Sequence, residues 1–552
     1  MEGFNLSRVL DTVAQAAGER DMLVWRGRRH TYAEVNRRAT AFARFLLAQG
    51  CGARAERDDL DGHQSGQDHV GLYLRNDTAY VEAMVGGFRA RCAPFNINYR
   101  YVEEELTYVL RSADASVLVY HAEFAPQVAA IRDSLPDLRV LVQVPDDSGN
   151  GLLPGAVDYT AILDAPVDGT VALPEPTGDD LFILFTGGTT GMPKGVLWRQ
   201  HDIYLSSMGG TPFGTTEPFR SYDDVAAAAT AAEQGMRIVL TPPFMHGAAQ
   251  WTVFHIVTNG GTLVLPDAND RFDAANVWDL AIAEGAVMIP VVGDAMARPL
   301  VDHLEAQSEQ WRASVPVAAI QNGGAPLTPA IRRRLHAAKP GLLVLDNVGS
   351  SETGIQMTMM SDGSGGDQPS HFVPTPDTTV VDDELTRVVE PGGDIGWLAR
   401  KGYVPLGYLN DAAKTAKTFP VIDGTRWSLP GDRARLLADG SIELLGRDSV
   451  TINSGGEKIY AEEVERALTG HPAIRDVIVV GRPSEVWGQE VTAVVELDDG
   501  AAVTDEELRD HCRAHIASYK IPKTIVRCET VKRSPAGKAD YRWARERATR
   551  SV

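Results

Sequence analysis

Cysteine is scarce in this chain: Cys51, Cys92, Cys512 and Cys528 are the four present in 552 residues. None stands in a C-x-x-C spacing, which excludes a zinc ribbon or a disulfide framework as the organising device. Long apolar runs are missing as well, so no stretch approaches the length that crosses a bilayer. The opening Met1-Glu2-Gly3-Phe4-Asn5 lacks the basic and apolar regions of a secretory leader, and a reducing, cytosolic location is expected. Positive charge is in deficit: 53 Lys and Arg face 74 Asp and Glu, for a net charge of −21. That balance argues against a nucleic-acid or anionic-membrane partner, and an anionic ligand must be captured by local groups.

The length exceeds what one compact core accommodates, so two or more domains are expected. Thr31-Tyr32-Ala33-Glu34 reads as a capping box, followed by an amphipathic helix that Gly50 ends. Strand signals at 70–74 and 116–120, with helical patterns at 80–88 and 103–110, indicate α/β layers with parallel strands. Residues 209–234 read as a polar, alanine-rich insertion. Further strands at 237–240, 262–265, 287–290, 318–320 and 342–345 each run into a loop, and such loops line the ligand crevice of an α/β sheet. His246, beside an aromatic residue and Gly247, stands at one of these strand ends. Composition shifts after Met360, and 375–447 reads as a β-rich, barrel-like or antiparallel subdomain within an N-terminal domain spanning 1–447. A separate small α+β domain is expected over 448–552, and from 506 onward it holds 12 Lys/Arg against 6 Asp/Glu. That is either a local basic face or a solvated helical surface.

The densest chemical signal is Phe185-Thr186-Gly187-Gly188-Thr189-Thr190-Gly191-Met192-Pro193-Lys194-Gly195-Val196. An apolar strand feeds glycines that permit close backbone approach, hydroxyls and one ammonium, the makings of a concave site for polyphosphate. A hairpin with a solvated lysine is the plain alternative. Pro193-Lys194-Gly195 is not the Gly-Lys-Ser/Thr ending of a Walker loop, and no G-x-G-x-x-G is present in the stretch.

The loop resembles the nucleotide loop of the adenylate-forming enzymes: acyl-CoA synthetases, firefly luciferase and peptide-synthetase adenylation domains. The resemblance continues in order along the chain. Gly349-Ser350-Ser351-Glu352-Thr353 is similar to the family's Y-G-x-T-E segment, with Val348 and Ser351 replacing tyrosine and threonine. Leu429-Pro430-Gly431-Asp432 is similar to its T-G-D segment, with Pro430 for threonine. Leu445-Gly446-Arg447-Asp448 and Ile452-Asn453-Ser454-Gly455-Gly456-Glu457-Lys458 resemble the hinge segment, and Ser534-Pro535-Ala536-Gly537-Lys538 the terminal lysine loop. Residues 293–300 and 532–543 look like those of actinobacterial synthetases for bulky fatty or sterol side-chain acids.

The resemblance implies an α/β fold: a large N-terminal domain of layered subdomains and a small, mobile C-terminal domain. It implies ATP, Mg²⁺ and coenzyme A as cofactors or co-substrates, a carboxylic acid as substrate, and formation of acyl-AMP followed by a thioester. Lys538 would bridge the carboxylate and the α-phosphate; Glu352 would hold Mg²⁺ and Ser351 donate to the α-phosphate. Thr186, Gly187, Gly188, Thr189, Thr190, Gly191 and Lys194 would cradle the other phosphates. Asp432 and Arg447 would take the ribose, Gly324, Ala325 and Pro326 the adenine face, and Asn347 its amino group. Ser454, Gly455, Gly456, Lys458 and Lys520 would meet coenzyme A, and Asp448 or Ser449 would be the hinge. His246, also a candidate catalytic residue, would line the acid pocket with Gly247, Trp251, Val291, Gly293, Gly323, Val348 and Gly349. Transfer to a carrier-protein thiol or an amine, and a non-catalytic binding protein, are the alternatives. Gly349-x-Ser351-x-Thr353 lacks the closing glycine of a hydrolase elbow. The acid and the oligomeric state, homo-oligomer included, are not written in the sequence.

Overall fold

The computed structural model describes residues 3–165, 171–186, 192–212, 214–364, 371–454, 457–484, 487–534 and 537–550. Among the described residues there are four sheets, of thirteen, eight, five and two strands, and the first three carry the architecture. In the eight-stranded sheet, Leu181–Thr186, Ala93–Asn96, His69–Tyr73, Ala115–His121, Val140–Val144 and Ala156–Asp158 run parallel. The central strands are buried on both faces, which explains their unbroken apolar runs. Lys194–Arg199 turns back antiparallel on Leu181–Thr186, pairing Thr186 with Lys194. The hairpin alternative therefore describes the backbone, and the anion-site reading concerns what its loop holds.

The thirteen-stranded sheet has a parallel centre: Leu343–Ser350, Ala319–Gly323, Met288–Val291, Arg237–Val239, Thr262–Leu265 and Asp21–Trp25. Its far side continues antiparallel through Gly354–Ser361, His371–Pro374, Ile442–Arg447, Asp432–Leu436 and Ile395–Arg400 to Thr378–Val381. The β-rich segment is thus an antiparallel arm grown from the edge of the main sheet. The C-terminal part packs helices Ala461–Thr469 and Asp505–Arg513 on a sheet centred on Ile474–Ser484 and Gly488–Leu497, around its own core of Ile459, Val464, Val479 and Ala493.

Three local readings are amended. Residues 209–234 are not merely a polar insertion: Tyr222–Thr230 is a helix capped by Ser221, and it buries Tyr222, Val225 and Ala229 in the large core. Its alanines make its apolar stripe too thin to stand out in the sequence. Thr31 does cap its helix, accepting from Glu34 N–H at 3.2 Å, but the Glu34 carboxylate sits 3.1 Å from His30 Nδ1. The C-terminal basic excess is partly paired: Arg509 and Arg513 face Glu506, Arg527 faces Asp505, and Arg533 faces Asp476.

Candidate active site

The ends of parallel strands assemble the site. Backbone register sets Val291 beside Asn322 and Gly323 beside Asn347, so three successive strand ends present one edge. Asn322 is buried there and makes three bonds. Its Oδ1 accepts from Gly293 N–H at 2.7 Å, and its Nδ2 donates to Ala325 O at 2.9 Å and to Asp346 Oδ1 at 2.7 Å. Burial raises the Asp346 carboxyl, and Arg332 lies 3.1 Å from its other oxygen. This web fixes the Gly324-Ala325-Pro326 turn. Gly293 has φ +59°, and a Cβ there would stand 2.7 Å from Pro326 O, so only glycine lets the turn come so close. Asn347 Oδ1 accepts from Thr358 Oγ1 at 2.7 Å and keeps a second lone pair for a ligand amino group.

On the antiparallel arm, Asp432 and Arg447 are cross-strand partners, with Arg447 Nε 3.1 Å from Asp432 Oδ1. Asp432 raises the Arg447 guanidinium further, against burial. The Ser351-Glu352 turn is held from four sides. Trp198 Nε1 donates to Ser351 O at 2.8 Å, and Ser428 Oγ to Glu352 O at 2.6 Å. The buried Arg400 donates to Thr353 O at 2.8 Å and to Ile355 O at 2.5 Å. Tyr408 OH donates to Glu352 Oε1 at 2.8 Å. Arg400 is pulled down to about 10 by burial, yet remains a cation at neutral pH beneath this turn. A Cβ on Gly349 would lie 2.2 Å from Gly354 O, so the narrow pairing at that bulge requires glycine.

Lys538 is brought into this group. Gly537 lies over the adenine-side turn, its Cβ direction 3.4 Å from Ala325 Cβ, and the lysine loop is tied by Ser534 N–H to Lys538 O at 2.7 Å. Burial, then Arg447, lowers the Lys538 ammonium, while Glu352 and Asp432 oppose them. His246 stands at the N-cap position of the helix Gly247–Thr258 without a side-chain cap bond; burial, then Lys538 and Arg100, hold its imidazole down to about 4. It is therefore neutral at physiological pH, and its buried Nε2 and the buried Nε1 of Trp251 have no partner among the described residues. A Cβ at 247 would meet Leu184 Cδ2 at 2.5 Å, so a larger residue there must push that side chain aside.

Lys194 reaches across to Asp411, Nζ to Oδ2 2.5 Å, and that bond lowers the Asp411 carboxyl. Lys520 bonds to Glu463 Oε1 at 2.5 Å and is already engaged. Asp448 opens a short 3₁₀ turn, Asp448–Val450, with its N–H on Gly431 O at 3.0 Å; Ser449 is in the same turn. Ser454 and Lys458 flank a tight antiparallel pair. Gly187, Gly188, Thr189, Thr190, Gly191, Gly455 and Gly456 lie outside the described residues.

Several site groups escape the motifs. Asn96, buried at the end of an apolar strand, accepts from Phe185 N–H at 2.8 Å and donates to Phe185 O at 2.8 Å and Met245 O at 2.6 Å. It clamps the phosphate-loop strand to the turn before His246. A polar residue inside the run Ala93-Pro94-Phe95-Asn96 was the available signal. Lys414 packs its ammonium 4.4 Å over the Tyr408 ring and lies in the field of Lys194, Glu352 and Arg447. Tyr408 and Arg400 carry no sequence signal of their own.

A Mg²⁺ ion fits this arrangement in one way. Among the described residues no group of three or more His, Cys, Asp or Glu could hold a metal by itself. Glu352 supplies a single hard carboxylate, which suits a cation whose other ligands are phosphate oxygens and water.

The chain belongs to the AMP-binding enzymes: residues 10–409 match that family and residues 463–538 its C-terminal domain. Within this adenylate-forming superfamily it sides with the acyl-CoA ligases. It is 52% identical to the medium-chain acyl-CoA ligase Mig of Mycobacterium avium, over 99% of this chain and 98% of that one. It is 38% identical to a 3-oxocholest-4-en-26-oate–CoA ligase of Rhodococcus rhodochrous, over 98% and 95%. In fold it matches the crystal structure of the anthranilate CoA ligase AuaEII with anthranoyl-AMP, at TM-score 0.79 and 20% identity over 99% of this chain and 98% of that one. No helix among the described residues is long and apolar enough to cross a membrane.

Proposed function

We propose that this AMP-forming acid–thiol ligase activates a large hydrophobic carboxylic acid, a long-chain fatty acid or a sterol side-chain acid, and joins it to coenzyme A. In the first step a carboxylate oxygen attacks the α-phosphorus of ATP, the bond to the β-phosphate breaks, and pyrophosphate leaves. In the second the coenzyme A sulfur attacks the acyl carbon, AMP departs, and the thiol proton is released. Two anions meet in the first step, so positive charge must stand where negative charge develops. Lys538, whose ammonium lies in the field of Glu352 and Asp432, fills that role. The single observation that carries the reading is the approach of the Lys538 loop, through Gly537, to the Ala325 turn, with the Asp432–Arg447 pair in the field of the lysine.

Asp432 and Arg447 orient the ribose, the Gly324-Ala325-Pro326 turn receives the adenine, and Thr186 and Lys194 receive the β- and γ-phosphates. Mg²⁺ at Glu352 would supply charge neutralisation across the phosphates. His246, Gly247, Trp251, Val291, Gly323 and Val348 form the acid pocket. A neutral His246 places no charge against an apolar acyl chain. Ser454 and Lys458 approach the site for thioester formation when the C-terminal domain turns about Asp448–Val450. The name of the Rhodococcus relative, a sterol-acid ligase, supports the bulky acid, whereas that of Mig, a medium-chain ligase, favours a shorter fatty acid.

The test is ATP–pyrophosphate exchange with fatty, aromatic and steroid side-chain acids, followed by product formation with and without coenzyme A. Long or steroid acids should support exchange, and coenzyme A should be required for net turnover. Turnover with a carrier-protein thiol or an amine in its place would overturn the acceptor assignment.

A further inference from the structure

The helix Ala461–Thr469 of the C-terminal part docks on the strand Ile442–Arg447 of the N-terminal part. Two of its side chains bond to that strand's backbone. Glu462 Oε2 accepts from Arg447 N–H at 2.8 Å, and Arg466 Nη2 donates to Leu444 O at 3.0 Å. The fit at Glu462 is close: Gly446 has φ +119°, and a Cβ there would fall 1.2 Å from Glu462 Oε2. No side chain other than hydrogen at 446 leaves room for that carboxyl. A third contact crosses nearby, Arg298 Nη2 to Arg475 O at 3.0 Å. Arg447 is the ribose-side residue and Lys538 belongs to the same body as Glu462. The bond therefore ties the part that carries the lysine to the residue it must act beside.

We propose that Glu462 is a positioning residue: its carboxyl latches the C-terminal domain in the orientation that seats Lys538 for adenylation, and releasing it lets the domain turn for thioester formation. The proposal rests on the reading that Lys538 serves the first half-reaction. Burial, with Glu465 and Asp432 close by, raises the Glu462 carboxyl to about 8. Arg447 opposes that rise, and Arg466 and Tyr541 also lie within its field. Turned out to water, the same carboxyl returns to the ordinary range. The sign follows: both orientations hold a neutral Glu462 at low pH, so the latch is at full strength there. As pH rises from the ordinary carboxylate range towards about 8, the turned-out state gains by ionising and the latch weakens.

The experiment places spin labels at Ala416→Cys and Ala502→Cys in the full chain and reads the inter-domain distance, alongside the two half-reactions. At the low-pH end, where both orientations hold a neutral Glu462, Glu462→Ala should lower the population at the distance of this structure relative to other distances by about fivefold, the size of one lost hydrogen bond. It should slow pyrophosphate exchange by a similar factor while leaving conversion of supplied acyl-AMP by coenzyme A no slower. Glu462→Gln keeps an acceptor for Arg447 N–H but cannot ionise. It should hold the wild-type low-pH population throughout and abolish the decline between about pH 5 and about pH 8. An Ala variant with the wild-type distance distribution, or a Gln variant with the wild-type pH decline, overturns the latch; if the Ala variant does not fold, the Gln variant alone decides. The distances do not depend on the acyl acceptor. A Lys538→Ala enzyme that still adenylates would overturn the underlying role of Lys538 and leave the distance result standing.

Discussion

The side of the site proposed for adenine and the side that carries Lys538 are built on different terms. Asn322, Asp346 and the Gly324-Ala325-Pro326 turn are fixed by bonds within one sheet, between strands in continuous register. Lys538 sits on a loop whose firm anchor, Arg533 on Asp476 at 2.7 and 2.5 Å, lies inside the C-terminal part. It meets the larger part through the approach of Gly537 to Ala325. On the proposed function, the groups assigned to the nucleotide belong to the scaffold, whereas the lysine assigned to bond formation is delivered. A reaction whose two halves need different surroundings is served by that division.

Four measurements sharpen or break the contrast, from the largest expected effect to the smallest. Lys538→Ala should cut adenylation by about two to three orders of magnitude, the scale of losing a transition-state donor. Thioester formation from supplied acyl-AMP should stay within severalfold; if both halves collapse, the lysine is not confined to one of them. Asp432→Ala removes an ionised acceptor. It should raise the KM for ATP by about one to two orders of magnitude, from ~1.5–3 kcal/mol of charged hydrogen bonding. Asn322→Ala leaves Gly293 N–H and one Asp346 oxygen without their partner, and should cost about 1–3 kcal/mol of stability in a denaturant titration. It should also weaken ATP binding, and an unchanged ATP affinity would show that the turn does not need its web. The last test is the pH profile of stability. The folded His246 sits at about 4 against its ordinary 6.5, so the unfolded chain binds more protons between those values. Stability should therefore fall as pH drops through that window, and His246→Gln should flatten this part of the curve, with little change at neutral pH.

Much of this was legible from the residues. Glycine-rich loops after apolar runs marked the strand ends, because only such loops turn tightly beside a buried sheet. The order of the loop, the Glu352 turn, Asp432, Arg447 and Lys538 identified the family. What stayed hidden was the support. Trp198, Arg400, Tyr408 and Ser428 reach Ser351-Glu352-Thr353 from distant segments, and their bonds go largely to backbone carbonyls, which leave no side-chain pattern to read. The first helix, Leu6–Ala17, and the strand pair Asp21–Trp25 and Arg28–Thr31 were also not anticipated. Their place was decided by packing against Tyr222–Thr230 and pairing with Thr262–Leu265, long-range partners that local periodicity does not announce.

If Lys194 receives the phosphates as proposed above, its ion pair with Asp411 has a consequence for turnover. An ammonium already held by a carboxylate is not gained afresh when a triphosphate arrives; it is exchanged from one anion to another. The affinity won is the difference between the two partners. On the way out, Asp411 stands ready to reclaim the lysine as pyrophosphate departs. The resting enzyme thus carries its own competitor for the product, which trades tightness of capture for ease of release.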